Sequence, residues 1–247
     1  ALRDELDRND IDLPIYWGNR NWHPMLADTF RDMRDDGIKS ALAFFTSAYS
    51  SYSSCRQYLE NIDTAQREVG EGAPQIDKIS AFFNHPGFIE TWADRLHEAL
   101  VQVPDAQLIF TAHSIPSSMA ATSDYEKQLR EACELVAKAV NHPSWELVFQ
   151  SRSGPPMQPW LEPDVCDVLK TIDAKTVILA PIGFISDHME VVYDLDTEAR
   201  EVCDRRDIKM IRAATPGAHP RFIAMIREMI EQHLDPDSVF HPCPANC

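Results

Sequence analysis

The sequence predicts an α/β protein built on parallel β-sheets. Short continuous apolar runs alternate along the chain with longer segments of helical period, and turn residues bound the runs. Such runs are typical of strands buried on both faces, as in a parallel sheet that helices cover on each side. The expected strands are residues 13–18, 40–45, 106–113, 145–151, 175–182 and 208–213.

Helical periodicity occupies the intervals between these runs. Residues 63–77, DTAQREVGEGAPQID, are the most loop-like interior segment. The expected helices are residues 23–36, 54–70, 86–102, 122–141, 189–204 and 217–233.

The composition excludes several classes of function. The 247 residues, of which 44% are hydrophobic, suffice for one large or two small domains. The net charge of −16 repels nucleic acid and anionic membranes. No apolar run reaches the roughly 18–20 residues that span a bilayer, and the N-terminus lacks the apolar stretch of a signal peptide. We therefore expect a cytosolic protein without a transmembrane segment.

The cysteines fall into two groups. In a cytosolic chain they are expected to be thiols or metal ligands rather than disulfides. Cys133, Cys166 and Cys203 lie on helical patterns and are expected in the core. The tail HPCPANC, residues 241–247, suggests either a metal-binding turn or a frayed end. The remaining cysteines are Cys55, Cys243 and Cys247.

Functional groups in parallel α/β sheets gather beyond the carboxyl ends of the strands. The segments that follow the predicted strands are rich in His, Tyr, Trp and carboxylate and poor in glycine. Neither GxGxxG nor GxxxxGK[ST] occurs in the chain, so a nucleotide phosphate site is not expected.

The most acidic of these segments follows the apolar run 175–182. Glu190, Asp194 and Glu198 have the spacing i, i+4, i+8, which aligns them on one face of a helix, and Asp187 precedes that helix. A solvated acidic face is one interpretation. The other is a path for a divalent cation, because the row of oxygen ligands leads to the imidazole of His113.

The loops after two other strands carry candidate pocket residues. His113 and Ser114 end the strand 106–113 and precede a turn proline, although a structural histidine is the alternative. The proline-rich loop 150–164 presents Trp160, either as a core residue or as an aromatic wall for a flat ligand. The tyrosines expected to line the same pocket are Tyr49, Tyr52 and Tyr58.

Several of these segments resemble one protein family. FTAHSIP (110–116), QSRSGPPMQPWLEPD (150–164) and PIGFISDHMEVVYDLDTE (181–198) resemble, in order and separation, the signature segments of ferrochelatase. YWGNRNWHP (16–24) and AFFTSAYSSYSSCRQYLENI (43–62) resemble two further segments in the form typical of actinobacterial members. The resemblance covers nearly the whole chain, and several long motifs agree at once.

The resemblance implies a fold of two Rossmann-like domains of the class II chelatase type, with a cleft between them that binds no nucleotide. We accordingly expect residues 1–84 to belong to the N-terminal domain and residues 85–216 to form the C-terminal domain. Residues 217–247 would form a helix and cysteine tail that pack back on the first domain. The family pattern opens with a strand, a glycine-rich segment and a lip over the porphyrin, so we expect this chain to be a ferrochelatase without that segment.

The resemblance also implies the reaction, which is insertion of Fe²⁺ into a porphyrin. His113 and Glu190 match the family's invariant pair at the porphyrin centre and are expected to be catalytic and to contact the metal. Asp187, Asp194 and Glu198 match an acidic relay for the metal. Whether His113 binds iron first or accepts protons first stays open, and Glu190 suits either role.

The porphyrin pocket is expected to include Tyr49, Tyr52, Ser114 and Trp160. Actinobacterial members resemble enzymes that use coproporphyrin III and make coproheme, which a decarboxylase then finishes. The alternatives are a protoporphyrin IX ferrochelatase and a non-catalytic carrier of metal or tetrapyrrole on the same fold. The candidates for contacts with additional substrate carboxylates are Arg20 and Arg152, either of which could equally be a surface arginine.

The cysteine positions resemble those of ferrochelatases that carry a [2Fe–2S] cluster. Cys55 matches the internal ligand, and Cys243 and Cys247 match the C-terminal group. Such clusters normally take four thiolates, so the fourth ligand is not identified in this chain.

Overall fold

Two parallel sheets organise the chain. The computed structural model describes residues 1–235. Within that range, β1 pairs with β2, and a second sheet has the order β4-β3-β5-β6, with every pair parallel. The strands are β1 Ser40–Ala43, β2 Gln75–Lys78, β3 Gln107–His113, β4 Trp145–Gln150, β5 Thr176–Ala180 and β6 Lys209–Arg212. The predicted α/β class with parallel sheets is confirmed.

Helices connect the strands and include two π-helical segments, Tyr52–Arg56 and Val192–Ala199. The first π segment leads into α3, and the second joins α8 to α9 in one continuous helix. The α-helices in residues 1–235 are α1 Leu2–Arg8, α2 Leu26–Asp35, α3 Gln57–Val69, α4 Pro86–Leu100, α5 Ser117–Ala120, α6 Tyr125–Ala139, α7 Val165–Thr171, α8 Met189–Val191, α9 Arg200–Arg205 and α10 Pro220–Leu234.

The four-stranded sheet is buried on both faces. Along β3, Leu108 and Phe110 belong to one apolar cluster and Ile109 belongs to another, and none of the three is exposed to solvent. Each such side chain stabilises the fold by about 1.5–3 kcal/mol through the removal of apolar surface from water. This alternation anchors β3 from both sides and fixes the position of its carboxyl end.

The helix starts follow from the sequence. The side chain of His85 accepts a hydrogen bond from the backbone N–H of Gly87, and Pro86 occupies the first turn of α4, where its missing N–H costs nothing. The Asp164 carboxylate caps α7 in the same manner, through the backbone N–H of Cys166 at 2.8 Å.

Three predicted features differ from the structure. Residues 13–18 are not a strand: Tyr16 packs in the cluster that includes α2, Ile15 and Trp17 are exposed, and the Trp17 carbonyl accepts a hydrogen bond from the Thr29 hydroxyl. Strand β2 falls at the end of the segment predicted to be a loop, since Gln-Ile-Asp-Lys has no continuous apolar run. Cys166 is partly exposed, whereas Cys133 and Cys203 are fully buried as predicted.

Helix α10 packs against α1 and α4. Its Phe222 ring contacts Phe44 and Phe82, which follow β1 and β2, and Arg227 forms an ion pair with the buried carboxylate of Glu5. The division into residues 1–84, 85–216 and 217–247 stays a prediction. In the part of the chain that the structure describes, no helix combines the length and apolarity needed to cross a membrane.

We expect Gly183→Ala to destabilise the protein by about 1–3 kcal/mol, because overpacking against rigid backbone has that cost. The Gly183 N–H donates to the Thr111 carbonyl, and an added Cβ would lie 2.7 Å from the Cα and Cβ of Ala112. Urea unfolding measures the effect. The control is Gly18→Ala, whose Cβ would meet side-chain atoms of Leu26 and Thr29 at 3.0 Å; equal losses for the two variants would contradict the prediction.

Candidate active site

The candidate site lies at the carboxyl edge of the four-stranded sheet. His113 is the last residue of β3 and pairs in register with Gln150, the last residue of β4. Ser151 follows with a left-handed backbone (φ 62°), which turns its side chain back toward the sheet edge. Glu190 lies in α8, which follows the end of β5. Parallel strands thus bring residues that are distant in sequence to one edge.

His113 and Glu190 form the centre of this site. The His113 Nε2 atom lies 3.6 Å from the Glu190 Oε2 atom, and each side chain is 37% exposed. The His113 Nδ1 atom contacts the Ser114 carbonyl oxygen and must therefore carry a hydrogen, which leaves Nε2 as the free lone pair of the neutral ring. The Tyr125 hydroxyl donates to the His113 carbonyl at 3.0 Å and holds the backbone in place.

The two groups shift each other's pKa in opposite directions. Burial lowers the pKa of His113, but the Glu190 carboxylate, the Ser114 carbonyl and the charge of Asp194 raise it by more, so it lies above 6.5. The His113 imidazole lowers the pKa of Glu190 by more than burial raises it. Near neutral pH the pair therefore combines a firmly ionised carboxylate with an imidazole able to take up or release a proton.

A second layer of hydrogen bonds holds Asp194. The Thr111 hydroxyl donates to the Gln150 Oε1 atom at 2.8 Å, which orients the amide so that its Nε2 donates to Asp194 Oδ2 at 3.2 Å. The Ser151 hydroxyl donates to the same carboxylate oxygen and also lowers the pKa of Glu190. Ser151 therefore lies near both carboxylates and donates its one hydroxyl proton to Asp194.

The acidic row continues from Asp194 to Glu198, which lines a polar cleft of about 340 Å³ with Glu201 and Cys166. Burial and nearby carboxylates raise the pKa of the Cys166 thiol to about 11, so it is a neutral thiol at pH 7. No group of three or more His, Cys, Asp or Glu side chains within residues 1–235 is placed to hold a metal ion together. The carboxylates form a row rather than a cage.

Asp187 has a different environment from the other carboxylates. Both of its oxygens accept hydrogen bonds from Arg212 at 3.0 Å, and the Thr215 hydroxyl donates to Oδ1 at 3.0 Å. The structure thus places this residue, which the sequence suggested as a metal ligand, in a salt bridge beside the site.

Two expected pocket residues are buried structural groups. Tyr49 is 2% exposed, its hydroxyl donates to the Ile182 carbonyl at 2.9 Å, and its ring packs against Phe88 and Tyr125. Ser114 is also 2% exposed and donates to the Leu161 carbonyl at 2.8 Å. Both groups fix backbone near the site.

Tyr52 and Trp160 are more accessible. Tyr52 is 42% exposed and donates to Glu60 at 3.1 Å. Trp160 is half-buried; its backbone bridges to Pro116, and its indole N–H is buried with no hydrogen-bond partner among the described residues. An unsatisfied donor of this kind costs free energy and marks a position where a ligand or water would be bonded.

The two arginines proposed for carboxylate contacts differ. Arg20 donates to Asn61 at 2.8 Å and stacks 4.5 Å above the ring of Tyr58. Arg152 donates to the carbonyls of Pro156 and Gln158, so it stabilises the loop in which it lies.

Cys55 fits the chemistry of an iron–sulfur ligand. It is 2% exposed, and the Lys78 Nζ atom lies 2.6 Å from its sulfur. A buried cysteine sulfur is one of the ligand types that iron–sulfur clusters use. Cys243 and Cys247 lie outside the described residues.

Sequence reasoning gave no role to Thr111, Gln150, Ser151 or Arg212. Ser151 had a usable signal, because it is the first polar residue after β4. Arg212 had none, since an arginine that ends a strand is common and its partners are remote in sequence.

The chain is similar to proteins of a known family. A family model described as Ferrochelatase matches residues 1–234. A ferrochelatase of Rhodopirellula baltica is 54% identical over 242 residues, covering 95% of this chain and 69% of that protein. A coproporphyrin III ferrochelatase of Nocardia farcinica is 44% identical over 247 residues, covering 94% and 70%.

The fold likeness extends to a more distant protein. The solved structure of SirB from Bacillus subtilis with Fe³⁺ has a TM-score of 0.65 at 14% identity, covering 93% of this chain and 88% of that one. The predicted class II chelatase fold, with its Rossmann-like domains, is therefore confirmed. The chain belongs to the ferrochelatase family of metal-inserting enzymes.

Proposed function

We propose that the protein inserts Fe²⁺ into coproporphyrin III to give coproheme, with His113 and Glu190 at the porphyrin centre. The observation that carries this proposal is the His113–Glu190 pair, an imidazole and a carboxylate 3.6 Å apart at an open sheet edge. Relatives named coproporphyrin III ferrochelatase are 44% identical in Nocardia farcinica and 48% identical in Mycobacterium marinum, which supports the choice of porphyrin.

The reaction replaces two pyrrole N–H protons by one Fe²⁺ ion, so the site must take up two protons and strip water from the metal. The neutral Nε2 of His113 is the base for a pyrrole proton, and the ionised Glu190 stabilises the resulting imidazolium. His113 then passes that proton to solvent through its exposed side and takes up the second pyrrole proton in the same way, so that two deprotonated pyrrole nitrogens bind Fe²⁺ as it arrives. Ser151 holds Asp194 through its one hydroxyl proton, so the next carboxylate of the row stays beside the pair.

Delivery of iron would follow the acidic row. Glu198 faces the polar cleft, and Asp194 lies between it and Glu190. Oxygen ligands in a row suit a hydrated divalent ion, because each carboxylate can replace one water without trapping the ion. Asp187 would act on this path through its contact with Arg212 rather than as an open ligand.

The porphyrin would lie over this edge, against the Trp160 loop. Tyr49 and Ser114 would shape the wall by fixing backbone, and Tyr52 would contact the ligand from its exposed position. A substrate carboxylate could compete with Asn61 for Arg20, whose guanidinium keeps free N–H groups.

The remaining parts of the proposal concern cofactor and partners. A [2Fe–2S] cluster would be held by Cys55, Cys243 and Cys247 with a fourth ligand, and the group supplies a structural or redox-sensitive link rather than the insertion chemistry. Coproheme would pass to a decarboxylase in the cytosol.

We expect His113→Ala to reduce kcat for iron insertion by at least about 100-fold, because it removes the general base. Porphyrin affinity should stay within about tenfold in Kd, since the aromatic wall is intact. Anaerobic initial rates and fluorescence titration measure the two quantities. The control is His142→Ala, which changes a histidine at the opposite edge of the sheet, bonded to the carbonyls of Ser144 and Ala106. Unchanged turnover in His113→Ala would favour a carrier.

Glu190→Gln should lower the pKa of His113, because burial, which lowers this pKa, stays while the largest of the interactions that raise it is removed. In the wild type the His113 resonance should therefore titrate above pH 6.5, and kcat/KM should rise through that pH as Nε2 becomes neutral. NMR titration of labelled histidine checks the shift. Glu198→Gln is the control on the same helix; an equal shift in both variants would contradict the pairing.

Initial rates with coproporphyrin III and protoporphyrin IX, compared side by side, decide the substrate. We expect coproporphyrin III to have the higher kcat/KM. Protoporphyrin IX is the second candidate, because the name of the Rhodopirellula baltica relative specifies no porphyrin. A preference for protoporphyrin IX would retain the mechanism and replace the substrate.

A further inference from the structure

We propose that Arg212 is a positioning residue for iron insertion, whose guanidinium brackets the helix segment that carries Glu190 and Asp194. It does so by binding Asp187 before this segment and Asp196 at its far side. The inference rests on the proposed function and adds a residue that contacts neither porphyrin nor metal.

The geometry of the bracket is specific to a guanidinium. Arg212 ends β6 and its side chain is 15% exposed. Its Nη1 and Nη2 atoms donate to the two oxygens of Asp187, each at 3.0 Å, and its Nε donates to the oxygens of Asp196 at 2.8 and 3.0 Å. Planar guanidinium is the side-chain cation that can serve two carboxylates with fixed angles at once.

The bonds from Gln150 and Ser151 to Asp194 hold the middle of the bracketed segment but not its start. Helix α8 has three residues, its N-cap His188 makes no side-chain capping bond, and the helix continues as a π-helix from Val192. Val191 and Leu195 bury one face completely, but Met189 is 81% exposed on the other. Apolar packing on one face keeps the segment from leaving the core. It opposes sliding or rotation of the segment less strongly, because such packing is non-directional.

Repulsion between the carboxylates of this segment is a second reason why Arg212 is needed. Asp187, Glu190, Asp194 and Asp196 lie within one short stretch, and like charges on neighbouring turns repel. Arg212 binds the two carboxylates that do not face the site, offsetting one of their two charges, and leaves the two that do. The bracket therefore separates structural carboxylates from functional ones in the same acidic run.

Two substitutions of Arg212 in the full-length protein test the proposal. Arg212→Met should lower kcat for iron insertion by about 100-fold, the effect expected when a reacting group is displaced by about 1 Å. The KM for porphyrin should stay within about twofold of wild type, because the pocket wall is unaffected. Arg212→Lys should resemble Arg212→Met, since an ammonium keeps the charge and loses the fork. Wild-type kcat in either variant would overturn the proposal.

The matched control is Arg200→Met. Arg200 lies in α9, directly after the same π segment, and its Nη1 donates to the Met210 carbonyl of β6 at 2.8 Å. This variant also removes an arginine that ties the helix to β6, but it leaves Asp187 and Asp196 paired. A loss of kcat in Arg200→Met equal to that in Arg212→Met would assign the effect to general destabilisation and overturn the inference.

A double-mutant cycle separates the bracket from metal delivery. Asp196→Asn breaks one arm without touching the proposed metal path, so it should lower kcat, and Asp196→Asn/Arg212→Met should be no worse than Arg212→Met alone. Additive losses would show independent roles and overturn the bracket.

Hydrogen exchange gives a readout that does not depend on turnover. Peptides covering 187–199 should exchange faster in Arg212→Met and at the wild-type rate in Arg200→Met. If the wild type inserts no iron, the proposed function fails while this measurement still decides whether the bracket exists. Equal exchange in both variants would overturn it.

Discussion

The pairing of β3 with both β4 and β5 is the constraint on which the site depends. His113 can face Glu190 because β3 occupies an inner position of the sheet, where its carboxyl end has neighbours on each side. The apolar residues of β3 are fully buried on both faces, so the strand cannot shift along its axis without exposing them. Stability of the core and placement of the imidazole are thus one requirement rather than two.

Near the end of β3, some carboxylates are paired with arginine and others are not. A chain with a net charge of −16 still neutralises selected carboxylates with arginine, through the Arg212 contacts and the Arg227–Glu5 pair. Within residues 1–235, the carboxylates in line with His113, which are Glu190, Asp194 and Glu198, form no ion pair with arginine. Partial burial strengthens their interactions, because the local dielectric constant is lower than that of water. The same burial keeps His113 from being permanently protonated, while Glu190 keeps it from being permanently neutral.

Sequence reasoning predicted most strands of the sheets and the sheet edge at which the site lies. It predicted the environments of individual side chains less well. Continuous apolar runs identify β3, β4, β5 and β6 because strands buried on two faces have few alternatives. Strand β2 was missed because its four residues alternate in polarity and owe their conformation to pairing with β1. Asp187, Tyr49 and Arg212 show that the hydrogen-bond partners of side chains are harder to predict than the strands. Their partners are 16 or more residues away, so the chain alone does not reveal which polar groups are already satisfied.

The π-helical segment Val192–Ala199 has a consequence for how this protein tolerates change in length. Its i→i+5 bonding accommodates one residue more than an α-helical path between the same two points would. Removing a single residue there would let the segment close as an ordinary α-helix between the same two points, so Glu190 before it could keep its direction. The apolar contacts of Val202 and Cys203 after it would also survive, whereas side chains inside the segment, Asp194 among them, would point elsewhere. A one-residue deletion in this stretch would therefore disturb the acidic row more than the fold.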